Sequence, residues 1–168
     1  MGAIKVVKVQ AELPQLTPYI PSQRAQVLAE YGDALQTRHL AEPRCWILAA
    51  DWQATLWLEG EGQWRVTGKR GGTTDLASIP SLLEWLYKRD DRDTLTAALI
   101  HDAMYAINFP AWETANRIFH QVMRLEGAGR VKASLKYAAV RTRIARCAYE
   151  DTDTNYERGW WHVRQVVG

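Results

Sequence analysis

The run Thr94 to Ile107, TLTAALIHDAMYAI, constrains this chain more than any other, because it reads as a helix that is apolar almost all round. Leu95, Ala97, Ala98, Leu99, Ile100, Ala103, Met104 and Ala106 leave it no polar face. Such a helix has to be enclosed by the rest of the protein. The chain has 168 residues, enough for one domain with a true core. Yet His101, Asp102 and Tyr105 stand in the middle of this apolar run. Burying ionisable groups is costly unless they are hydrogen-bonded or paired, so these three demand a structural or chemical reason.

The remaining elements follow from periodicity. Ile4 to Val9 reads as a strand, and prolines 14, 18 and 21 mark an extended connector. Ser22 is placed to cap a helix from Gln23 to Thr37, with Ala25, Leu28, Ala29 and Leu35 as its stripe and with the character of an arm. Cys45 to Thr67 alternates with period two around Gly60–Glu61–Gly62, a hairpin with Trp52, Ala54, Leu56 and Leu58 on one face and Gln53, Thr55 and Trp57 on the other, one of them core and the other half-buried. A short helix is expected over Ser81 to Lys88, and Asp93 caps the central helix. Asn108 and Pro110 separate that helix from a second, Ala111 to Leu125, with Ala115, Ile118, Phe119, Val122 and Leu125 inward. Beyond Gly127 and Gly129 one long helix is predicted from Val131 to Tyr149, with Val131, Leu135, Ala138, Ala139 and Ala145 inward and its bases outward.

The fold class expected is α+β: a small antiparallel sheet in the N-terminal half, packed on a C-terminal bundle of three to four helices. Three segments result: an N-terminal strand, connector and arm over 1–44, a core domain over 45–149, and a tail over 150–168. The tail is polar, then aromatic and β-like, with no evident place in the core. Of eight tryptophans, all but Trp160 and Trp161 are expected in the core.

The chemistry-bearing residues gather in two windows, GGTTDLASIP from Gly71 and LIHDAMYAI from Leu99. On a helix His101 and Asp102 diverge by about 100°, so the imidazole serves as base or ligand while the carboxylate holds a metal or a loop. Asp75, between a double glycine and a Ser-Ile-Pro turn, is the natural third member, with Ser78 beside it. The alternative is structural: Asp75 and Ser78 fix the loop, and His101 is a satisfied core histidine. Cys45 and Cys147 have no CxxC or Cys/His spacing, which excludes a zinc framework from the sequence pattern.

Charge offers a separate feature. The net charge of +2 does not argue for nucleic acid, but seven bases lie between Arg124 and Arg146 against the single acid Glu126. Arg130, Lys132, Lys136, Arg141, Arg143 and Arg146 form a candidate face for phosphates of DNA or lipid, or for an acidic partner. The N-terminal run lacks the apolar core of a signal peptide, so synthesis in a host cytoplasm is expected.

The order TTDLASIPSLLEWL, AALIHDAMYA, ANRIFHQVM and KYAAVR, spanning about Val66 to Arg141, resembles a phage and prophage domain-of-unknown-function family marked by TDLASxP and HDxxY. The resemblance implies a bacteriophage origin and an α+β domain whose small sheet leads into helices. That family carries an acid in its third motif where this chain has Asn116. The HDxxY helix also resembles that of calcium-dependent His-Asp phospholipases. That similarity implies His101 as base, Asp102 as ligand for a divalent cation such as calcium, carbonyls from Lys69 to Gly72 and Asn116 in place of the orienting acid; in the hydrolase reading of the residues Asp75 is a further ligand or the orienting acid, and Tyr105 shapes the pocket.

Two functions are therefore expected. The first is a virion-associated structural or assembly protein, in contact with other phage proteins in an oligomeric particle, with the proline-rich arm, tryptophan tail and basic helix as docking extensions. The alternative is a phage hydrolase acting on esters or the cell envelope at entry or lysis.

Overall fold

A computed structural model describes residues 4–36, 45–76, 92–150 and 159–166. Its centre is an antiparallel sheet of four strands in the order β1 (Val6–Ala11), β4 (Trp52–Leu58), β5 (Gly62–Gly68) and β7 (Trp161–Val166). The β4–β5 hairpin turns at Gly60 and Gly62, both at positive φ, and pairs Leu58 with Gly62 and Trp52 with Gly68. Its alternation holds residue by residue: Trp52, Ala54, Leu56 and Leu58 are buried, as are Trp64 and Val66 opposite.

A smaller sheet orders β2 (Leu16–Tyr19), β3 (Cys45–Leu48) and β6 (Thr73–Thr74). Helix α1 (Arg24–Tyr31) packs on it through Val27 and Tyr31, closing a satellite core with Tyr19, Leu35, Cys45 and Ile47. The expected arm is thus docked on its own chain. Its inward stripe is not the predicted one, for Leu28 is exposed, and Pro21–Gln23 forms a 3-10 turn where a Ser22 cap was expected.

The fold class is the α+β arrangement expected, with helices packed on the antiparallel sheet. Helix α2 (Arg92–Ala106) is central: Ala97, Ala98, Leu99, Ile100, Ala103 and Met104 are buried on every side. Helix α3 (Trp112–Leu125) lies against it, burying Ala115, Ile118, Phe119 and Val122, while Leu125 faces out. Gln121 on α3 clamps the start of β1, accepting from Val6 N at 2.6 Å and donating to Ile4 O at 3.1 Å.

Two expectations about the C-terminal third are corrected. The long helix is two, α4 (Arg130–Val140) and α5 (Arg143–Glu150). Thr142 separates them because its hydroxyl accepts from Ala145 N at 3.3 Å, opening a new helix instead of continuing the old one. The inward face of α4 is Ala133, Lys136, Ala139 and Val140, whereas Val131 is 74% exposed and Leu135 is also outward. The tail, in turn, belongs to the main sheet. Strand β7 pairs with β5 from Gln63↔Val166 to Gly68↔Trp161, and Trp161 is only 1% exposed. The helix predicted over Ser81 to Lys88, and Trp85 within it, lie outside the described residues.

Candidate functional site: a buried histidine network on α2 and α3

His101 and Tyr105 stand one turn apart on α2, so both face α3. Asn116 reaches them from the first half of α3. Its Oδ1 lies 2.8 Å from His101 Nε2 and accepts the Tyr105 hydroxyl at 3.0 Å. The imidazole is sandwiched by rings, with Tyr105 at 4.1 Å and Phe119 at 4.7 Å between centroids. It is 2% exposed, and Asn116 is fully buried.

This geometry sets the tautomer. A carbonyl oxygen accepts only, so Nε2 carries the ring proton and Nδ1 presents a bare lone pair. Nδ1 is buried and has no hydrogen-bond partner among the described residues. Asp102 Oδ1 lies 3.8 Å from it. The other oxygen of Asp102 accepts the Thr74 hydroxyl, and Thr74 Oγ1 also accepts Leu76 N at 3.0 Å. The loop after β6 and the central helix thus meet at Thr74 and Asp102. Asp75 follows Thr74 directly and is half-buried, so the TD pair of the loop borders the site. Leu76 adopts φ 61°, a conformation that a branched side chain takes only under local constraint. Ser78 lies outside the described residues.

Tyr105 continues the network. Its hydroxyl is 3.4 Å from Val140 O, and its ring meets Tyr149 edge-on at 5.0 Å. Burial pushes the Tyr105 phenol well above its ordinary range and Tyr149 up to about 12. Both are neutral donors at any physiological pH. Tyr149 donates to Pro110 O, tying α5 to the turn before α3.

The divalent-cation expectation names Asp102, Asp75 and the carbonyls of Lys69 to Gly72. Among the described residues no group of three His, Cys, Asp or Glu side chains is placed to hold a metal ion. The loop carbonyls named for the role serve the chain itself, with Gly71 O accepting Gln36 N and Lys69 O accepting Gly72 N.

The basic face is also redrawn. Lys136 is 0% exposed and donates to Thr94 Oγ1 at 2.7 Å, while Lys132 meets both oxygens of Asp93 at 3.0 and 3.1 Å. These two lysines, one turn apart, staple α4 to the start of α2. Arg130 is exposed on α4, and Arg141, Arg143 and Arg146 cluster at the α4–α5 break.

Three residues that matter here carry no signal of their own in the sequence. Thr74 is readable only as a hydroxyl beside the TD motif. Gln36 is fully buried, accepting Thr73 N at 2.7 Å and Trp161 Nε1 at 3.3 Å. Trp161 itself fills the space above Gly68.

Fold and network together define an α+β domain built on a buried His-Asn-Tyr cluster whose imidazole lone pair faces a carboxylate. Residues 51–140 match the family described as protein of unknown function (DUF1353), and the chain belongs to that family. No curated protein and no solved structure matches the chain.

Proposed function

We propose that this chain is a phage-encoded ester hydrolase in which His101 Nδ1 is the general base. The observation that carries the reading is the unpartnered Nδ1. A buried lone pair without a donor is a cost the fold has no packing reason to bear, and such atoms cluster where chemistry is done. Asn116 orients the ring through Nε2, leaving Nδ1 to take a proton from water as the hydroxide attacks an ester carbonyl. The imidazolium then returns that proton to the departing alkoxide. Asp102 Oδ1, at 3.8 Å, stabilises the imidazolium. With its side chain 14% exposed, Asp102 also connects the ring to the surface. The resemblance of HDAMY to the His-Asp phospholipases makes phospholipid-type esters the first substrates to assay. The motif order TDLASIP then HDAMY supports the phage origin.

The test is hydrolysis of short-chain phospholipid esters by the full chain and by His101→Asn. The variant is expected to lose about a hundredfold or more in kcat while keeping a cooperative thermal transition. Activity equal to that of the unaltered folded chain defeats the proposal.

A second reading, a virion structural or assembly component, draws on the outward apolar pair Val131 and Leu135 on α4. The arm and tail, which first favoured it, are used within the fold. Its check is incorporation of a folded Val131→Asp/Leu135→Asp chain into particles. Exclusion supports this reading, and unchanged incorporation removes it.

A further inference from the structure

We infer that the cleft at the α4–α5 break is a binding site for a phosphate-bearing anion, held by Arg141, Arg143 and Arg146. The cleft has a volume of about 470 Å³ and is lined by these three guanidinium groups with Trp112, Cys147 and Glu150. That volume falls within the range of small-molecule sites.

The charge arrangement argues for a ligand. Arg143 opens α5 and Arg146 stands in its first turn, with no acid there to offset them. Cations at the positive end of a helix dipole are unfavourable, and an anion bound among them reverses the sign of that interaction. Arg141, at the C-terminal cap of α4, stacks on Tyr137 at 5.1 Å, which fixes its plane without occupying its donors. Neither Arg141 nor Arg143 makes an ion pair among the described residues. Arg146 bonds Glu150 through Nε at 2.8 Å, a bond that uses none of its Nη hydrogens, and sits over the Trp112 ring at 5.6 Å. Glu113 is a second acid near Arg146, so the cleft is mixed in sign with an arginine excess. Guanidinium forks suit the paired oxygens of a phosphate better than a single ammonium does.

This site adjoins the histidine network at Tyr105, whose hydroxyl interacts with Trp112 of the cleft lining and whose ring meets His101 on one side and Tyr149 of α5 on the other. His101 meets Asn116 through Nε2 and turns Nδ1 toward Asp102, so the proposed base does not look into the arginine cleft.

Calorimetric titration of the full chain with inorganic phosphate and pyrophosphate, at matched sodium chloride, tests the proposal. A parallel arm measures binding to phosphatidylcholine vesicles with and without phosphatidic acid. Saturable binding that Arg141→Gln/Arg143→Gln weakens about tenfold or more, and that Arg130→Gln retains, supports it. Binding confined to the soluble anions identifies a free phosphoester as the ligand, and binding confined to phosphatidic acid identifies a lipid headgroup. Should the double variant fail to fold, exposed Arg143→Gln alone carries the comparison. No saturable binding in either arm, or binding indifferent to the arginine substitutions, overturns the proposal.

Discussion

At the scale of single residues, the decisive choice in this molecule is an amide where an acid would be the stronger partner. Asn116 can orient the His101 ring and accept from Tyr105, both through Oδ1, but it brings no charge to an imidazolium. Its Nδ2 is also buried without a partner among the described residues, which an aspartate at this position would not leave as an unsatisfied donor. Asn116→Asp therefore places a carboxylate against Nε2–H and strengthens Nδ1 as a base. Under the hydrolase reading, kcat for ester hydrolysis is expected to rise about tenfold or more. A steady-state assay of ester hydrolysis checks it. An unchanged kcat would separate Asn116 from the chemistry and leave it as an anchor between α2 and α3.

At the scale of elements, α4 is held by a lysine staple where the sequence pattern led elsewhere. Lys132 and Lys136 lie one turn apart and meet Asp93 and Thr94, the first turn of α2. That rotates α4 so that Val131 and Leu135 face out, although both are better core residues by type. A buried lysine stem packs like an aliphatic chain, and only its ammonium needs satisfying. Lys136→Ala removes the stem and leaves the Thr94 hydroxyl without this partner, with an expected loss of about 2–4 kcal/mol in denaturant unfolding. Lys136→Met keeps the buried stem and should lose markedly less, since the packing survives and the polar interactions of the ammonium are what it forgoes. Equal losses would assign the whole effect to the charge. The same elements show what could be read beforehand. The hairpin alternation and the all-apolar α2 were legible because a strand face and an enclosed helix each impose a strict period. The α4 face was not, because Lys136 is inward by virtue of a partner 42 positions away. No local pattern encodes that pairing. His101 and Asp102 were legible as residues out of place in an apolar helix, whereas Thr74, their link to the loop, differs little from any threonine in a turn.

At the scale of the whole molecule, both ends of the chain are built into one sheet, β1 at one edge and β7 at the other. The C-terminal segment is the stronger case, for four interactions converge on Trp160 and Trp161. Trp161 packs over Gly68, where an added Cβ would lie 2.6 Å from Leu48 Cδ1 and 2.7 Å from the indole, so the glycine admits both side chains. Its Nε1 meets buried Gln36, which also binds Thr73 N at the loop leading to the histidine site. Trp160 donates to Ala34 O at 2.7 Å, and Lys69 N returns to Trp160 O at 2.8 Å. Gly71 is locked into the same junction at φ 88°, with Ala34 O standing where any Cβ would go. Removing residues from Trp160 onward therefore exposes the β5 edge, strips Gln36 of a partner and empties the space above Gly68. Truncating after Gly159 is expected to cost more than Trp161→Ala, itself worth about 3–5 kcal/mol, and to leave the chain without a cooperative transition by calorimetry. Trp161→Phe, which fills most of the volume but gives up the Gln36 bond, should retain a cooperative transition at lower temperature. If the truncated chain instead melts cooperatively near the full-length temperature, β7 is an appendage and the loop that carries Thr74 does not depend on it.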